Sequence, residues 1–378
     1  MKVEVQMHCK RLFKAGVVAA AMALVLSGCS SSKNAASDNG LPKVDMLKSL
    51  GKGEGQVNIV AWAGYVENGS TDPKVDWVTG FEKETGCKVN VKIGASSDEM
   101  VSLMKTGEYD VVSASGDASL RLIYGGDVAP VNTDLIPNYA DIFANLKMQP
   151  WNSVNGVAYG VPHGRGANLL AYRTDIVKPA PTSWGSVFDP NSPYKGKITA
   201  YDSPIYIADA ALYLMKTKPE LGIKYPYALD KTQFDAAIAL LKQQKPLISE
   251  YWGDYLKHVA SLKSGATVLG TTWQVNINLA KSENVKVEGI KPVEGSTGWS
   301  DTWMISSKSK NPNCAYLWMN HIVSPQANAA VAEWFGEAPS NAKSCDLTAD
   351  KNHCATFHAN DDAYWQDVYY WNTATENC

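Results

Sequence analysis

The sequence predicts an α/β fold resting on mostly parallel sheet, with enough chain for two domains. Three observations carry this. Short β-branched runs alternate with helix-period segments from Val57 onward. Clusters of Gly, Asn, Ser, Asp and Pro separate them. Of the 378 residues, about 350 remain once an N-terminal leader is set aside, more than one small core needs.

The leader comes first. Lys10, Arg11 and Lys14 precede an apolar stretch from Ala15 to Leu26, followed by Leu26-Ser27-Gly28-Cys29. That is the order of an export signal: basic region, short apolar region, small residues, cut. The apolar run is too short to cross a bilayer. A cysteine at the cut resembles the lipobox of bacterial lipoproteins, which implies that residues 1–28 are removed and Cys29 is acylated. Residues 29–54, rich in Gly, Ser, Asn and Lys, are expected to form a flexible tether.

The expected elements follow in order. Val57 to Trp62 reads as a buried strand, and Trp77 to Thr85 as a helix stopped by Gly86. Cys87 to Ile93 is a second strand, Asp98 to Lys105 a helix, and Tyr109 to Ser113 a third strand. After an irregular stretch from Asn132 to Gly156, strands are expected at Val157 to Pro162, Ala167 to Tyr172 and Lys197 to Tyr201. Helices are expected at Ile207 to Lys216 and Phe234 to Gln243, then a strand at Thr267 to Trp273 with a helix to Lys281. Val285 to Ile290 and Thr302 to Ser306 read as strands, and the chain beyond Cys314 as helical. Trp77, Trp318 and Trp334 read as core.

Composition narrows the function. Residues 1–28 carry four basic side chains and one acidic one, so removing them takes the formal charge from −3 to −6. A mildly acidic chain without a basic patch excludes nucleic acid as partner and is compatible with a cationic one. Cys345 and Cys354 lie close together in a polar stretch and read as a loop-closing disulfide. Pairing among Cys87, Cys314 and Cys378 stays open. A zinc site using His353 and His358 matches no standard ligand spacing. Neither metal nor cofactor is expected. No Gly-x-Ser-x-Gly, His-Glu-x-x-His or phosphate-loop motif occurs, so catalysis has no recognisable residues to rest on.

Aromatic residues instead stand beside carboxylates at strand ends. Trp62-x-x-Tyr65 follows the first strand and Ser115-Gly116-Asp117 the third. Trp273 ends a later strand, and Trp299-x-Asp301 precedes another. In open α/β sheets ligands bind at the carboxyl ends of strands, so several of these are expected in one crevice. Aromatic faces cover methylenes and attract ammonium groups, and carboxylates hold the charged ends.

These residues, with Tyr109-Asp110-Val111-Val112, Tyr159-Gly160-Val161-Pro162 and Phe335-Gly336-Glu337-Ala338-Pro339, resemble the spermidine/putrescine-binding group of solute receptors of bacterial ABC importers. The resemblance runs from about Val57 to Asn341. The run from Tyr201 to Ala210 is similar to a subgroup linked to putrescine and γ-aminobutyrate.

The resemblance implies a two-domain periplasmic-binding-protein fold (type II) with the ligand cleft between domains. Residues 55–162 and 301–378 would form domain 1, and 163–300 domain 2. It implies an exported, lipid-anchored monomer, in the periplasm or on the outer face of the cytoplasmic membrane. This receptor would capture a polyamine and deliver it to an ABC permease in the inner membrane.

Carried over by position, Trp62 and Tyr65 form one aromatic wall, and Trp273 and Trp299 the other. Asp301 takes one ammonium. Ser115 and Glu337 fall on binding positions, and Asp117 either holds the second ammonium or caps the following helix. The family acid of the second domain falls at Tyr206, with Asp202 the nearest carboxylate and also a natural turn residue. Arg165 stands where the family has tryptophan. It reads either as a structural arginine near the crossing or as an anchor for a carboxylate, which would favour γ-aminobutyrate. A binding protein of the same fold that senses its ligand instead of feeding a transporter, and an exported enzyme, are the remaining rivals.

Overall fold

The computed structural model describes residues 41–94 and 96–373. The lipidation position Cys29, the leader and Cys378 lie outside the described residues.

The chain forms fourteen strands among the described residues. They are β1 (Gln56–Ala61), β2 (Lys88–Ile93), β3 (Val111–Ala114), β4 (Ser153–Val154), β5 (Val157–Ala158), β6 (Val161–Ala167) and β7 (Leu169–Arg173). There follow β8 (Ile198–Tyr201), β9 (Ile248–Trp252), β10 (Leu269–Thr272), β11 (Val287–Ile290), β12 (Ser296–Ile305), β13 (Ala338–Pro339) and β14 (Val368–Tyr370). One sheet runs β13-β6-β12-β3-β1-β2 with β14 also on β12, and a second runs β11-β7-β10-β8-β9. We call the parts around them the first and second lobes.

Each sheet has a parallel half and an antiparallel half. β1 pairs parallel with β2 and β3, and β8 parallel with β9 and β10. The parallel halves alternate with helices, as the buried run Val57–Ala61 and the amphipathic segments after it predict. The crossing strands β6, β7 and β12 join antiparallel, so the sheets are mixed and not mostly parallel.

The chain changes sheets twice. β6 carries the first sheet to Ala167 and β7 opens the second at Leu169, leaving Asn168 as the link. The return lies between Ile290 and Ser296. Asn168 lies six residues past the crossing expected at 162, and the return six to ten residues before the one expected at 301. Gly160, Gly164 and Gly166 leave room for Thr302, Glu337 and Trp299, whose side chains would meet any Cβ there. β6 pairs with residues 298–303 of β12, with a register shift between Asp301 and Thr302.

Two hydrophobic clusters cover the faces of the first sheet, one around Phe81, Trp303 and Trp318 and one around Met100, Leu122 and Met304. A third, around Trp184, Phe188 and Leu214, covers the second sheet. Trp334, expected in the core, is 38% exposed.

Residues 41–54, expected as tether, lie on the first lobe. Leu41, Val44 and Leu47 pack against its clusters, and Asn132 Nδ2 donates to the Leu47 carbonyl at 3.2 Å. Glu54 accepts from the backbone N–H groups of Asn313 and Cys314, at 3.0 and 2.9 Å, at the start of the helix Pro312–Ile322. Disulfides join Cys87 to Cys314 and Cys345 to Cys354.

Candidate functional site

A cleft of about 530 Å³ opens between residues of the two lobes. From the first lobe it takes Trp62, just past β1, and Asp117, just past β3. From the second it takes Tyr201, which ends β8, and Asp202. Trp62, Asp117 and Tyr201 thus stand at carboxyl ends of parallel strands, where such sheets leave a crevice.

Asp117 lies in the first turn of the helix Gly116–Gly125 and is not its cap residue. Burial raises its pKa, against a hydrogen bond from Ser97. Its Oδ1 is buried and has no hydrogen-bond partner among the described residues. Tyr201 is pushed up to about 12, first by burial and then by the charges of Asp117, Asp202 and Asp301. Three carboxylates therefore act on one hydroxyl at the cleft. Arg121 also lines it, but its guanidinium is engaged by Asp98 at 2.5 Å.

Behind the cleft lies a buried polar chain. Tyr65 Oη is 2.8 Å from Asp301 Oδ2 and 3.2 Å from Glu337 Oε2. Ser115 Oγ donates to Asp301 Oδ1 at 2.5 Å. Ser115 occupies the N-cap position of the helix Gly116–Gly125, yet its hydroxyl makes no capping bond because Asp301 takes it. His163 Nδ1 accepts from Trp303 Nε1 at 2.9 Å, which leaves the ring proton on Nε2, 3.2 Å from Glu337 Oε1. Burial holds His163 down at about 3, so it is neutral. Burial, then the charge of Asp301, raises Glu337 well above the carboxylate range. Burial raises Asp301 to about 6, against hydrogen bonds from Ser115 and Tyr65. The Tyr65 hydroxyl thus lies between the two carboxyl groups, closer to Asp301 than to Glu337.

Other expected site residues lie elsewhere. Tyr206 is core: it is 5% exposed, in the first turn of the helix Tyr206–Thr217, and accepts from Gln244 Nε2 at 2.8 Å. Trp273 and Trp299 line a separate crevice of about 20 Å³ together with Arg165. Trp299 packs over Gly166 and edge-on to Phe335. The Arg165 guanidinium lies 4.1 Å over the Trp365 ring and donates to the Ala359 carbonyl at 3.1 Å and to Tyr370 Oη at 3.3 Å. It serves the packing of the C-terminal segment and does not line the cleft. His353 bonds to the Glu337 carbonyl at 2.8 Å, and His358 stacks on Tyr364.

Sequence reasoning missed three groups. Tyr201 was part of a quoted run but had no assigned role. Trp371 lines the cleft from the C-terminal strand, which the sequence reading took as helix; the β-prone run Val368-Tyr369-Tyr370-Trp371 carried the signal. The third is a relay at the crossing. Trp273 Nε1 donates to Asn168 Oδ1 at 2.9 Å, Asn168 Nδ2 to Thr297 Oγ1 at 2.7 Å, and Thr297 Oγ1 to Asp209 Oδ1 at 2.8 Å. Burial raises Asp209 to about 7, against the bond from Thr297.

Residues 76–356 match the family described as bacterial extracellular solute-binding protein. The chain is 25% identical to the spermidine/putrescine-binding periplasmic protein of Escherichia coli over 284 residues, 74% of this chain and 76% of that protein. Its fold is similar to that of the spermidine/putrescine ABC transporter substrate-binding protein PotD from Streptococcus pneumoniae. That match has a TM-score of 0.69 and 20% identity, and covers 85% of this chain and 94% of the other. It is also similar to a GABA receptor, with a TM-score of 0.66 and 21% identity over 85% of this chain and 92% of the other.

Proposed function

The chain belongs to the bacterial extracellular solute-binding proteins, and from that premise we propose that its cleft captures a small cationic amine of the putrescine/spermidine class for delivery to an ABC permease. Membership in that family makes it a binding protein and not an enzyme. The observation that carries the ligand class is that Asp117 and Asp202 line one cleft with the aromatic rings of Trp62 and Tyr201.

In this reading Trp62 and Tyr201 cover the methylenes. Asp117 and Asp202, from opposite lobes, take the ammonium ends by charge-assisted hydrogen bonds and hold the lobes together around the ligand. Asp301, fixed by Tyr65 and Ser115, adds negative potential from behind. Among the described residues lining the cleft, a carboxylate-bearing ligand such as γ-aminobutyrate finds no free cation, because Arg121 is engaged by Asp98 and Arg165 is packed on Trp365 elsewhere.

The protein acts as a monomer on the outer side of the cytoplasmic membrane, held there by a lipid on Cys29. Eleven residues separate Cys29 from Leu41, the first described residue, which packs on the first lobe. Even fully extended they span about 40 Å, which keeps the receptor near its permease.

Calorimetry of the chain from Cys29 onward against putrescine, spermidine and γ-aminobutyrate tests the reading. Binding of a di- or polyamine is expected, and at a hundredfold excess over Kd it stabilises the fold by about 2.7 kcal/mol. Binding of γ-aminobutyrate alone, or of none of the three, overturns it.

A further inference from the structure

The C-terminal strand supplies the cleft with a wall. β14 runs parallel to the first residues of β12, and the Trp371 N–H donates to the Gly298 carbonyl at 2.7 Å. The Trp371 carbonyl lies against Gly116, where any Cβ would collide with it. Gly116 follows Ser115 at the end of β3, so Trp371 is clamped at the binding end of the first sheet. From there its indole stacks on Tyr201 of the second lobe, with centroids 6.1 Å and planes 11° apart. The indole is 5% exposed, and its Nε1–H has no hydrogen-bond partner among the described residues. Asn372 and Thr373 extend the same wall. Tyr225 of the second lobe donates to the Tyr370 carbonyl at 3.3 Å and ties the segment across the cleft.

We propose that Trp371 is a specificity-determining residue that sets the length of the amine the cleft accepts. The proposal deepens the amine-receptor reading and rests on it. Trp371 lines the same cleft as Asp117 and Asp202, so in this proposal its indole takes up room beside the two carboxylates that a longer amine needs. The ring face also attracts an ammonium lying against it, so the same side chain holds the short ligand and excludes the long one.

The test is calorimetry of the exported chain and its Trp371→Ala and Trp371→Phe variants with putrescine and spermidine, with a thermal melt of each protein. The unsubstituted chain is expected to prefer putrescine. Trp371→Ala shifts the affinity ratio toward spermidine by about tenfold or more. Trp371→Phe keeps a ring of smaller reach and shifts the ratio less, in the same direction; it carries the test if the alanine variant does not fold. An unchanged ratio in the folded variants, or an initial preference for spermidine, overturns the proposal and leaves the amine reading standing. No binding of any amine by the unsubstituted chain overturns both.

Discussion

The hydroxyl of Tyr65 donates to Asp301 Oδ2 at 2.8 Å, joining the loop after β1 to the interior of β12. Tyr65 is fully buried and Asp301 nearly so. A buried carboxylate is tolerated when hydrogen bonds satisfy it, and here Tyr65 and Ser115 do that. Tyr65→Phe leaves both Asp301 and Glu337 short of a partner. It is expected to cost about 1–3 kcal/mol in denaturant unfolding. Glu337→Gln, which keeps a donor toward Tyr65, is expected to cost less than Tyr65→Phe; a larger loss would mean that Glu337 is ionised in the folded protein.

The relay at the crossing makes stability depend on pH. Asp209 is raised from 3.8 to about 7 by burial, so the folded state binds its proton more tightly than the unfolded state does. Its contribution is complete below about pH 4 and is lost as pH rises through 7. Asp209→Asn, which cannot ionise, should track the parent melting temperature at pH 4 and exceed it at pH 8. The difference has an upper limit of about 4 kcal/mol. Equal pH dependence in the two proteins would rule out Asp209 as the source.

Much of the fold was legible where one physical cause dominates. The run Val57–Ala61 is buried on both faces and reads as a parallel strand. The sequence reading placed strands at Val157 to Pro162 and Ala167 to Tyr172 and left out the run between them, where Gly164 and Gly166 are required by contact with Glu337 and Trp299. β9 escaped notice because its residues are only partly covered until Trp252. In the site, Trp62 and Asp117 were legible as residues following parallel strands, and Asp202 only as the carboxylate nearest the position that the resemblance gave to the second-domain acid. Trp273 and Trp299 were not correctly placed, because Asn168 and Gly166 turn them to another crevice, and no local pattern encodes that.

The two disulfides differ in what they constrain. Cys87–Cys314 closes a loop of 227 residues, and Cys345–Cys354 one of 9. Chain entropy makes the longer link worth about 3 kcal/mol more in the unfolded state. Paired serine replacements at 87 and 314 are therefore expected to lower unfolding stability more than those at 345 and 354. The reverse order in denaturant titrations would show that the short link acts through native packing of the C-terminal segment.

Arg165 offers a sharper comparison. Its guanidinium is buried against Trp365, and among the described residues no carboxylate lies within ion-pair distance of it. Planarity is what this setting uses: one face stacks, while two edges reach Ala359 and Tyr370. Lysine can neither stack in that way nor fork. Arg165→Lys is therefore expected to destabilise the protein nearly as much as Arg165→Ala, by about 2–3 kcal/mol. The C-terminal segment should become an early site of proteolysis in both variants. Amine selectivity should change only as far as Trp371 is released, so putrescine affinity falls while γ-aminobutyrate stays unbound. Gain of γ-aminobutyrate binding would show that Arg165 reports on the ligand, contrary to its position. A loss confined to the alanine variant would show that charge, not shape, holds the segment.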